Sequence, residues 1–93
     1  MSKQAILNMI ARMERLADTM YGCSEQELNS LGGQVIGTLR AIREEFSRHG
    51  ISIDNEDLAE AGNTIARNQD AEEAIYIIHQ GAAYLRGLAE RIN

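Results

Sequence analysis

The sequence predicts an all-α fold: a compact, largely antiparallel bundle of three long helices and one short helix, with the C-terminal helix central, in a single domain over residues 1–93. Three observations carry this expectation. The chain has no proline, and with only three Tyr, one Phe and no Trp it must pack with Leu, Ile, Met and Ala. Its apolar residues recur in alternating steps of three and four, the period of a helix face. A length of 93 residues can enclose one core, burying roughly two-thirds of the surface that the unfolded chain exposes, but not two cores.

The first helix is expected over residues 3–21, where Ile6, Met9, Met13, Leu16 and Met20 keep an a/d spacing and Ile10 and Ala17 widen the stripe. Gly22, which tolerates the left-handed conformation, stops it. The methionines of this stripe suit either an adaptable binding surface or an ordinary core or homodimer seam, and the packing reading is preferred because the spacing is that of a packed helix. The second helix opens at Ser24, whose hydroxyl can cap the first turn while Glu27 completes a Ser-x-x-Glu capping box. Its seam is Leu28, Leu31, Val35, Leu39, Ile42 and Phe46, and it ends at Gly50. Gly32, Gly33 and Gly37 fall inside it, where each costs about 1 kcal/mol relative to Ala. The offset expected is a close approach of another helix along Ser30, Gly33, Gly37 and Ala41; the alternative is a helix that begins only after Gly33.

A short third helix is expected over residues 55–67, with Asp54 as N-cap, Asp57 at the capping-box position, Ile53 stapled to Leu58, and Leu58, Ala61, Ile65 and Ala66 inward. Asp70 and Glu73 then cap the last helix, residues 70–93, DAEEAIYIIHQGAAYLRGLAERIN. Ala71, Ile75, Ile78, Ala82, Leu85, Ala89 and Ile92 form its main seam, and Ala74, Ile77, Gly81, Tyr84 and Leu88 a second one beside it. A helix this widely apolar, uncharged from Ala74 to Leu85, is expected to be enclosed by its neighbours, which is why it is placed at the centre.

Composition excludes several functions. A net charge of −5 disfavours non-specific attraction to nucleic acid or anionic lipid, and no basic recognition helix appears. No apolar run reaches 18 residues, and charges at Arg12, Glu14, Arg15 and Asp18 interrupt any signal-peptide core, so the chain is expected to be cytoplasmic. The single Cys23 cannot form an intramolecular disulfide. His49 and His79 are not spaced as a zinc pair, no phosphate-binding glycine loop is present, and no nucleophile, base and orienting acid stand at a recognisable spacing, a Cys23–His79 pair being the one catalytic alternative. Neither an enzyme, a metal site nor a cofactor is therefore expected.

What remains is binding. On the last helix Glu72, Tyr76, His79, Ala83, Arg86 and Glu90 follow steps of four and three away from the main seam, and Tyr and Arg are enriched at interface hot spots. Between residues 54 and 73 the acidic residues Asp54, Glu56, Asp57, Glu60, Asp70, Glu72 and Glu73 face one basic residue, Arg67. They can steer a basic partner, although helix capping alone accounts for most of them. The expectation is a protein-binding regulator or inhibitor, a homodimer by preference, that engages its partner through Tyr76, His79, Tyr84 and Arg86 with Asp54, Glu56, Asp57 and Glu60 at the edge. The alternative is a small-molecule or nucleotide-binding bundle with Arg12, Arg15, Arg40, Arg43 or Arg67 around an inter-subunit cavity.

Overall fold

The structure is a computed structural model in which residues 3–53 and 71–92 are described. Among these residues the fold is all-helical: α1 is Lys3–Asp18, α2 is Glu25–Arg48 and α3 is Ala71–Ala89. Three long helices are thus present where three were expected. The short helix expected over residues 55–67 lies outside the described residues, together with its capping and stapling contacts.

Each boundary has a local cause. The chain leaves α1 through Thr19, whose hydroxyl donates to Leu16 O at 2.8 Å, and through a tight bond from Met20 N to Ala17 O, so α1 ends three residues earlier than its periodicity suggests. Gly22, at φ +74°, then reverses it. Ser24 and Glu27 form the reciprocal capping box, with Glu27 N donating to Ser24 Oγ and Ser24 N donating to Glu27 Oε1. At the other end of α2, Gly50 at φ +77° completes a Schellman motif: Ile51 N donates to Phe46 O and Gly50 N to Ser47 O, and Ile51 packs onto the core.

The core is a single cluster. Ile6, Ile10, Met13, Ala17 and Met20 come from the first segment, Val35, Ile42 and Phe46 from α2, and Ala74, Ile75, Ile78, Ala82, Leu85, Ala89 and Ile92 from the last. The main seam of α3 is thus buried as its spacing predicts, apart from half-buried Ala71 at its start. The stripe of α1 is centred one position away from the expected one, on Ile6, Ile10, Met13 and Ala17, with Met9 and Leu16 at its margins. Met13 and Met20 are fully enclosed and belong to the core, whereas Met9 is half-buried at its margin.

Two expectations are corrected. The C-terminal helix is not the central element of the described structure: α1 packs against both α2 and α3, and no other pair of described helices packs comparably. The reason is that the second seam of α3 stays partly open, with Ile77, Gly81 and Leu88 half-buried and Tyr84 exposed, whereas α1 is covered on two sides. The second correction concerns the glycines. Helix α2 runs unbroken through Gly32 and Gly33, as the continuous reading requires, but a methyl group placed on Gly33 or Gly37 would meet no atom within 4 Å. No described helix comes into contact at these two positions, and the cost of these two glycines is not offset by packing.

Gly33→Ala and Gly37→Ala are therefore expected to stabilise the fold by about 1 kcal/mol each, near 2 kcal/mol together. Urea unfolding checks this, and a loss of stability in either variant would show that the strip is occupied.

Candidate functional site

The residues singled out on the last helix separate into two groups. At about 100° per residue, His79 and Arg86 lie on the edge of α3 that faces α1, Tyr76 stands about 60° further round on the outer arc, and Tyr84 about 80° beyond Tyr76. The antiparallel packing of α1 and α3 brings Glu14 and Asp18, one turn apart on α1, against that first edge. His79 Nδ1 is 3.2 Å from Glu14 Oε2, and His79 Nε2 is 2.9 Å from Asp18 Oδ1. Arg86 donates from its guanidinium to the other oxygen of Glu14. Further along the same seam Lys3 Nζ donates to Glu90 Oε2 at 3.3 Å.

This cluster has a definite protonation logic. Both ring nitrogens of His79 face carboxylate oxygens, so both contacts are satisfied only when both nitrogens carry protons. The pKa of His79 is accordingly raised, chiefly by the bond to Asp18 and next by Glu14, against an opposing contribution from burial. That of Glu14 is lowered, first by Arg86 and then by His79, again against burial. Arg86 is raised by Glu14. The pairing ties α3 to α1. Among the described residues no group of His, Cys, Asp and Glu is arranged to hold a metal ion, and Glu14 and Asp18 address opposite nitrogens of one ring.

His79 and Arg86 thus pair with Glu14 and Asp18 of α1, with their side chains still partly exposed. Tyr76 and Tyr84 keep the place the sequence assigns them, 64% and 60% exposed. Between and beside them on the outer arc lie Gln80, Ala83 and Gly87, all exposed, so about three turns of α3 present an uncharged surface to solvent. Asp54, Glu56, Asp57 and Glu60 lie outside the described residues.

Of the arginines of the alternative reading, Arg12 and Arg43 border separate hollows. Arg12 borders an open hollow of about 340 Å3 with Met9, Gln34, Gly37, Thr38 and Ala41. Arg43 borders a different one of about 200 Å3 with Glu44, Ser47, Ser52 and Ile53. Arg67 is not among the described residues. Two polar features were not singled out from sequence. One is the Glu14–Asp18 pair, whose i, i+4 spacing beside an apolar stripe is its only local signal. The other is Glu45, buried beside Ile42 and Phe46, with one oxygen bonded to Arg48 and Oε2 without a partner among the described residues.

No family model matches the chain, and neither the curated proteins nor the solved structures with which it was compared return a match. No described helix is long and apolar enough to cross a membrane.

The His79 contacts make stability depend on pH. A raised histidine pKa contributes stability that is fully present below the unfolded value of 6.5 and is lost as pH rises through the folded value; the lowered Glu14 pKa contributes stability present above 4.5 and lost as pH falls through its folded value. His79→Gln is expected to lose about 1 kcal/mol at pH 5.5 and markedly less at pH 9, the size set by the partial exposure of these pairs. Urea titrations at the two pH values measure the difference, and an equal loss at both would contradict a charged bridge. Glu45→Met, which removes the unpartnered buried oxygen, is expected to leave stability unchanged or raise it by about 1 kcal/mol in the same assay, and a clear loss would show that Oε2 has a partner in solution.

Proposed function

We propose that this chain is a protein-binding module, a regulator or inhibitor of a partner protein that works as a homo-oligomer in the cytoplasm and has no catalytic activity of its own. One observation carries the reading. All three tyrosines of the chain, Tyr21, Tyr76 and Tyr84, are 60% exposed or more, in a protein whose only other aromatic residue, Phe46, is fully buried. An exposed tyrosine offers a large, rigid contact surface with a polar tip at low entropic cost, and two of the three stand about 12 Å apart along the outer arc of α3. The net charge of −5 favours a partner with a basic surface, which the exposed Glu73 at the start of that helix would help to orient. The free thiol of Cys23, which donates to Thr19 O at 3.0 Å, is compatible with a reducing compartment.

The test is a variant that touches only this surface. Tyr76→Ala combined with Tyr84→Ala is expected to keep the helical spectrum and the unfolding midpoint within about 0.5 kcal/mol, because both rings are exposed. It should reduce capture of specific partners from a native lysate by tenfold or more, each buried tyrosine anchor being worth about 2 kcal/mol. Undiminished capture by a folded double variant would remove α3 as the binding face.

A further inference from the structure

We infer that the outer face of α3 pairs with the same face of a second copy of this chain, antiparallel, about a twofold axis at the level of Ala82. This rests on the reading of that face as an interface and names its occupant. The argument begins with which residues share the face. At about 100° per residue, Glu73, Tyr76, Gln80, Ala83, Tyr84 and Gly87 fall within an arc of about 100°, Arg91 stands in the tight turn just past the end of the helix, and all seven are exposed. Among the described residues neither Glu73 nor Arg91 makes an ion pair, in contrast to Lys3, Glu14, Glu90 and Arg86, which are all engaged. One unpaired charge of each sign therefore stands at opposite ends of an uncharged stretch.

That arrangement is self-complementary in one direction only. A parallel pairing would set Glu73 against Glu73 and Arg91 against Arg91. An antiparallel twofold pairing at Ala82 sets Glu73 opposite the partner's Arg91, twice, by symmetry. The same axis sets Gln80 opposite the partner's Tyr84, within reach of an amide-to-phenol hydrogen bond, and Tyr76 opposite the partner's Gly87 and Leu88. A methyl group on Gly87 would meet nothing within 4 Å, so a ring can occupy that space without displacing any atom of the chain. Ala83, one residue from the axis, has no bulk to hold the two helices apart. Charge, shape and hydrogen bonding thus select the same register. A single helix pair is a small interface, near the low end of about 1,200 Å2 in total, so the expected affinity is micromolar.

Sedimentation equilibrium of the full chain from about 5 to 500 μM reads this directly. The 10.3 kDa chain is expected to reach twice that mass within the range. Ala83→Glu, which places like charges beside the axis, is expected to weaken association at least tenfold while the monomer stays helical. Glu73→Arg and Arg91→Glu should each weaken it several-fold, and the double exchange should restore it, a rescue that misfolding cannot imitate. A wild-type chain that remains monomeric at 500 μM overturns self-pairing but leaves the tyrosine face open to a different protein. A dimer indifferent to Ala83→Glu and to the charge exchange overturns self-pairing through α3, and with undiminished lysate capture by the tyrosine variant it removes the face altogether.

Discussion

Helix α1 is apolar round enough of its circumference to be covered by α2 on one side and α3 on the other, and the described structure depends on that double burial. Ile6, Ile10, Met13 and Met20 are essentially inaccessible, and each such side chain is worth about 1.5–3 kcal/mol when removed from water. The charged contacts between α1 and α3 are partly exposed and worth about 1 kcal/mol or less apiece. Hydrophobic burial therefore decides that the helices associate. The Glu14, Asp18, His79 and Arg86 cluster does something narrower: it favours one rotational setting of α3, because turning the helix would bury these charges or separate them.

That setting has a consequence for the outside of α3. With His79 and Arg86 paired to α1 and the main seam turned to the core, the arc bearing Tyr76, Gln80, Ala83, Tyr84 and Gly87 is left to solvent. The arc is uncharged between Glu73 and Arg91, unlike the exposed side of α2, which carries Glu25, Glu27, Arg40 and Glu44. A surface of this kind is available for association because the inner face of the same helix already supplies its share of the core. Fold and proposed function are linked through one helix whose two faces have separate work.

Much of the fold was legible in the sequence, and the parts that were not share a cause. The apolar positions of α3, the Ser24–Glu27 cap, the left-handed Gly22 and Gly50 and the passage of α2 through Gly32 and Gly33 are local facts, set by spacing, capping chemistry and backbone conformation. Which helix stands between the others is not local. Both α1 and α3 carry wide stripes, and the width of a stripe does not say how many neighbours cover it. The same limit applied to His79 and Arg86: they lie at the margin of a stripe, where periodicity alone cannot distinguish solvent from a neighbouring helix, and their partners are 61 to 72 residues away in the chain. The glycines of α2 show the converse. Their spacing suggested a close approach, but Gly33 and Gly37 look onto open space.

Native-state hydrogen exchange of the full chain tests the placement of α1 most directly, since it ranks helices by the free energy needed to open them. Burial from two sides predicts that the amides around Ile10 and Met13 exchange only with global unfolding, as slowly as any in the protein, while the amides of α3 on the Tyr76–Tyr84 side open no later. If instead α1 exchanged by local opening while α3 and α2 stayed protected together, α1 would not be the shared element, and the turning of His79 and Arg86 away from the outer face would lose its basis.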